Sequence, residues 1–137
     1  MSIEIVEIAV QGPPGPPGRD GITPTYTSAV ALSGHLATTL NSLLEALPAD
    51  CTVAGHANAV VGITLGASTA GAPAAVTSTG PLSHAGWTFL AGKPVLLGAG
   101  GAIVQSLPAT AKFSQPLGVA LSATQILLAI QPAIFLN

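Results

Sequence analysis

The residues able to do chemistry are few and far apart. His35, His56 and His84 are the only imidazoles and stand 21 and 28 residues from one another. A structural zinc site draws four close ligands, usually with pairs on one element, and no such pair exists here. A threefold assembly would let one His meet its symmetry mates around a metal or an anion on the axis. The plainer expectation is that His56 and His84 donate hydrogen bonds to loop carbonyls. Cys51 is the sole thiol. It excludes an intramolecular disulfide, fits a chain made in a reducing cytosol, and reads as a small buried hydrophobe. The carboxylates Glu4, Glu7, Asp20, Glu45 and Asp50 are scattered through the first 50 residues. A Ser-His-Asp triad therefore lacks an orienting acid beyond Asp50.

Two further patterns mimic sites without completing them. Gly98, Gly100 and Gly101 resemble a phosphate loop, but a dinucleotide fingerprint needs a third glycine where Ile103 stands and a helix behind it. A hairpin turn is the better expectation. Trp87, Phe89 and Tyr26 are too few for a base-stacking platform, and Trp87 is read as core or as lining a glycan or protein contact. Three basic and five acidic residues give a net charge of -2, and 6% of residues are charged, against about 25% in an average soluble domain. Phosphate neutralisation needs clustered Lys and Arg, so nucleic acid is not an expected partner. A non-enzymatic chain without cofactor or metal is expected.

The 137 residues, 49% of them hydrophobic with a mean hydropathy of +0.66, must hide apolar surface on a small body, which points to self-association. Membrane insertion is not expected. The uncharged stretch after Lys112 is broken by Ser114, Gln115, Pro116, Ser122, Thr124, Gln125, Gln131 and Pro132, and a spanning helix wants about 20 predominantly apolar residues. The first ten residues carry two acids and no basic stretch, unlike a secretory signal.

Four segments follow from these patterns. In residues 1–11, Ile3, Ile5 and either Ile8 or Val10 alternate with Glu4 and Glu7, a strand with one apolar side that must find a partner in another chain or in copies of itself. In residues 12–25, glycine falls at Gly12, Gly15, Gly18 and Gly21 with Pro-Pro between the first three. Glycine at every third position is what three polyproline-II strands need around a common axis; the alternative is a Pro-rich linker. In residues 26–48, Thr27 or Ser28 can cap a helix ending at Leu47 before Pro48. Leu36, Leu40, Leu43 and Leu47 follow at spacings of 4, 3 and 4, either a short trimerising seam or one amphipathic helix packed on the next domain.

Residues 49–137 are rich in Gly, Ala and Pro with short β-branched runs, an all-β head with strands expected at 59–65, 74–77, 87–89, 94–97, 102–105, 118–121, 126–130 and 133–136. An internal repeat is visible when Val61-Gly62-Ile63-Thr64-Leu65 is laid on Leu117-Gly118-Val119-Ala120-Leu121, 56 residues on. Two β-units of similar plan are expected from it.

The opening IEIVEIAVQGPPGPPG, together with HANAVVGITLG, GWTFLAGKPVLLGAGGAIVQSLP and PLGVALSATQILLAIQP, resembles the collagen-like fibre and decoration proteins of tailed bacteriophage virions. That resemblance implies a mainly β homotrimer. Its N-terminal segment, Ile3, Glu4, Ile5, Val6, Glu7 and Ile8, would attach to the major capsid protein or another virion protein. Gly12, Gly15, Gly18, Gly21 and the four leucines would drive trimerisation. It implies a location on the virion surface, the capsid exterior, after synthesis in the host cytoplasm, as a head fibre or decoration protein; a tail-fibre or adsorption component is the alternative. The aromatic content of 4% is low for a receptor-binding tip.

Overall fold

A computed structural model describes residues 23–136. The expected attachment strand and the Gly-Pro-Pro triplets lie outside the described residues. Within them the chain is mainly β, with twelve short strands: β1 Thr25–Thr27, β2 Ala37–Leu40, β3 Ala46–Pro48, β4 Gly62–Thr64, β5 Pro73–Thr77, β6 Thr79–Ser83, β7 Pro94–Leu97, β8 Ile103–Val104, β9 Phe113–Ser114, β10 Pro116–Ala120, β11 Gln125–Ala129 and β12 Ile134–Phe135. Glycine and proline interrupt the sequence often enough that no strand exceeds five residues.

The helix expected from Thr27 or Ser28 to Leu47 is not formed. Thr38 and Thr39 favour extended backbone, and the leucine-rich stretch behind them is the turn of the β2–β3 hairpin. Asn41 decides this. Its Oδ1 accepts the amides of Leu43 and Glu45, both at 2.9 Å, and its Nδ2 donates to Glu45 Oε1 at 3.1 Å. A short amide side chain that satisfies local backbone donors offers an alternative to the helix, and here it wins. Leu36 and Leu40 pack against Leu32, Ala46 and Ala74, Leu47 is half-buried, and Leu43 sits 75% exposed at the turn. The four leucines share no seam. The β-fold also reaches back past residue 49, since β1 pairs with β5; residues 26–48 are part of the head.

The strands form two five-stranded antiparallel sheets, ordered β1-β5-β4-β2-β3 and β6-β11-β10-β7-β8, plus the small ladder β12-β9. Substituting β6, β7, β8, β10 and β11 for β1 to β5 turns the first order into the second. The register follows too. Thr38 opposite Gly62 becomes Val95 opposite Gly118, Ala37 opposite Ile63 becomes Pro94 opposite Val119, and Leu40 opposite Ala46 becomes Leu97 opposite Ile103. The expected repeat is therefore a structural duplication covering an N-terminal and a C-terminal unit. Gly62 and Gly118 have φ of +153° and +155°. A Cβ on either would run into the carbonyl oxygen of the neighbouring strand, that of Thr77 or of Leu127, so only glycine fits the place where the hairpin strands approach.

The two units stack. Ala37 and Ile63, paired on one face of the first sheet, join Val95, Leu97, Ala120, Ile126 and Leu128 from the second, with Phe113, Leu117, Ala49 and Cys51, in one core. The opposite face of the first sheet is covered by its own crossing segment through Leu32.

Candidate functional site

The expected strand at 87–89 is absent; these residues instead form a cluster where the units meet. His35 lies in the loop before β2, and His84, Trp87 and Phe89 lie in the loop between β6 and β7. The His35 and His84 rings stack at 4.3 Å with planes 20° apart. Trp87 stands T-shaped to both, at 5.4 and 5.5 Å, and tilts against Phe89 at 5.3 Å. His84 N–H donates to Thr124 O at 2.9 Å, and Trp87 N–H to His84 O at 3.1 Å. Burial and the neighbouring His84 charge lower the His35 pKa, against an opposing hydrogen bond to the Ser83 backbone. Two imidazoles stacked face to face, with the indole beside them, join the units.

His56 stands apart in a second polar knot. Its Nδ1 accepts the Asp50 amide at 3.0 Å, so it serves as an acceptor where donation was expected. Asp50 Oδ1 accepts the amide and hydroxyl of Thr52 at 2.8 and 2.6 Å, and Oδ2 accepts the Gly100 amide at 3.1 Å. Burial disfavours the charge, but these hydrogen bonds and the nearby His56 outweigh it and hold the Asp50 pKa below its ordinary value. The segment Ala99–Gly101 is the expected hairpin turn between β7 and β8, a short 3₁₀-type stretch broken at Gly100, whose φ is +63°. Its amide is taken by this carboxylate.

Cys51 is fully buried, and burial followed by the Asp50 charge raises its pKa; such a thiol is a poor nucleophile. Gln115, also buried, accepts the Asn58 amide at 2.9 Å through Oε1 and donates through Nε2 to Gln131 O at 3.1 Å. Among the described residues no three or more of His, Cys, Asp and Glu gather closely enough to hold a metal ion, and no helix is long and apolar enough to cross a membrane. The polar groups are spent on tying loops to strands.

The described residues form open concavities of another kind. One, of about 390 Å³, is lined by Ala67, Ser68, Thr69, Ala72 and Pro73 and contains no ionisable group. Another, of about 310 Å³, lies on the outer face of the second sheet among Pro94, Pro116, Gly118, Val119, Leu127 and Ala129, with Gln131 as its one polar side chain. Sequence reasoning missed this second surface, although a signal existed: in Gln125–Ala129 the alternate position Leu127 is as apolar as its inward neighbours Ile126 and Leu128. A strand facing water on one side ordinarily alternates apolar with polar. Comparison with known proteins finds no family model that matches the chain and no curated protein that matches it.

Proposed function

We propose that the chain is a non-enzymatic virion structural protein, a homotrimeric head fibre or capsid decoration protein attached through its N-terminal segment. One observation carries this reading: a run with glycine at every third position stands directly before a mainly β head, so a threefold spacer precedes a small body that benefits from sharing apolar surface. The duplicated sheets, whose buried polar side chains serve loop anchoring, support a structural role. The sequence of residues 3–8, with Ile3, Ile5 and Ile8 among Glu4 and Glu7, would suit strand addition on the major capsid protein or another virion protein.

Light scattering on the full chain tests the assembly. A particle of three 13.4 kDa chains is expected, and a monomer at micromolar concentration overturns the proposal. Co-sedimentation with phage particles that lack their native copy tests the location, with binding expected to the capsid and not to isolated tails.

A further inference from the structure

The duplication makes the two sheets a controlled comparison. In the N-terminal unit the row Ala37 opposite Ile63 is completely buried, both residues at 0% exposure, because the C-terminal unit covers it. The corresponding row in the C-terminal unit is Pro94 opposite Val119, continued across the next two strands by Leu127 and Pro81. Nothing among the described residues covers it. Pro94 and Pro81 are exposed, Val119 is half-buried, and Leu127 is 42% exposed.

The chain thus displays in one half what covers this face and leaves the same face bare in the other. The covering element is another five-stranded unit of the same fold. The row is apolar across all four strands, and β6, β7, β10 and β11 contain no Asp, Glu, Lys or Arg, so nothing selects a charged partner. The groove is also shallow and lacks converging polar groups of the kind that orient a small ligand.

We infer that the face formed by Pro81, Leu127, Val119 and Pro94 is a docking surface for a second copy of this chain, the contact through which the heads of the assembly touch. The inference rests on the self-association proposed above and adds its location. Burying such a face removes apolar area from water in the way the intramolecular stack already does.

Thiol protection tests it in the full chain. Cys51 is fully buried and leaves the background silent. Ala129→Cys places a thiol in the groove, and Leu43→Cys places one on the exposed hairpin turn as a control. With a bulky maleimide, the groove thiol is expected to react about tenfold more slowly than the control at high protein concentration and to gain speed on dilution. Equal rates in a chain that light scattering shows to be a trimer overturn the docking face and leave the trimer standing. Protection independent of concentration in a chain shown to be a monomer overturns the choice of occupant, since residues 1–22 of the same chain would then cover the groove. A monomer with a freely reactive groove thiol overturns both proposals. Leu127→Glu supplies a second readout. With Trp87 fluorescence unchanged it should abolish the protection of the Ala129→Cys thiol, and retained protection overturns the inference.

Discussion

His35 and Gly92 occupy the same position in the two halves of the head. The His35 amide donates to Thr64 O at 2.8 Å and the Gly92 amide to Ala120 O at 2.7 Å. Both residues have positive φ, +63° and +83°. Leu44 and Gly101 form a second such pair, at +63° and +85°. At both places the C-terminal unit uses the residue that tolerates the left-handed region, and the N-terminal unit carries a side chain there at a conformational cost.

The cost at Leu44 has no compensating contact, because the side chain is exposed at the hairpin turn. Leu44→Gly is therefore expected to stabilise the head by roughly 0.5 kcal/mol, the relief of left-handed strain less the added freedom of the unfolded glycine. Urea denaturation measures it, and Leu43→Gly beside it should show no gain. His35→Gly should behave oppositely despite the same φ, since it removes the ring that stacks on His84 and meets Trp87.

Leu43 and Leu40 separate the expected helix from the hairpin that exists. Leu43→Asp should leave the melting temperature within a few degrees. Leu40→Asp should lower it markedly, because Leu40 packs on the Leu32, Ala46 and Ala74 cluster and a carboxylate there loses its hydration. A trimeric seam would make the two changes equally damaging, so thermal melts of both variants decide.

The sequence was most legible where backbone geometry dictates residue type. Gly62 and Gly118 could be matched because each precedes a β-branched residue at a place only glycine fits, and the strands at 94–97 and 126–130 followed from their apolar runs. Residues 36–47 misled because leucine spacing suits a helix, while the competing signals were the β-branched pair Thr38 and Thr39 and one deciding side chain, Asn41, whose effect depends on its local geometry. The His35–His84–Trp87 cluster joins residues from opposite sides of a duplication, and no spacing rule connects them. The outer face of the second sheet was hidden differently: an apolar residue reads as core until topology shows which face has been used.

Gly118→Ala tests the duplication at its tightest point. The added methyl group would overlap the Leu127 carbonyl in a backbone conformation that alanine avoids, so a loss of roughly 3 kcal/mol or failure to fold is expected. Gly62→Ala should match it, with Thr77 in place of Leu127. Gly66→Ala, where a Cβ meets nothing within 4 Å and no positive φ is required, should be tolerated. Denaturant melts of the three variants compare them directly.

Removing residues 1–10 should separate attachment from folding. The described head begins at Thr23 and its first strand, β1, is paired with β5, so the shortened chain is expected to keep its far-ultraviolet circular dichroism and its melting temperature. Under the proposed function it should lose co-sedimentation with particles. Retained binding would make the β-head the anchor.

The histidine cluster should make stability depend on pH in a definite direction. Burial and His84 lower the His35 pKa below its ordinary 6.5, so the unfolded chain binds a proton at this site more tightly than the folded one. Stability from this group is complete above the unfolded value and is lost as pH falls through 6.5 toward the lowered folded value, below which the loss levels off. Asp50 acts in a separate window: its lowered pKa contributes stability that persists above its ordinary value of 3.8 and disappears only in more acidic solution. Urea midpoints between pH 7.5 and 5.5 should therefore fall through the histidine effect alone. His35→Asn, which keeps a residue tolerant of positive φ and removes the titrating ring, should flatten that fall, and an unchanged slope would assign it to other groups.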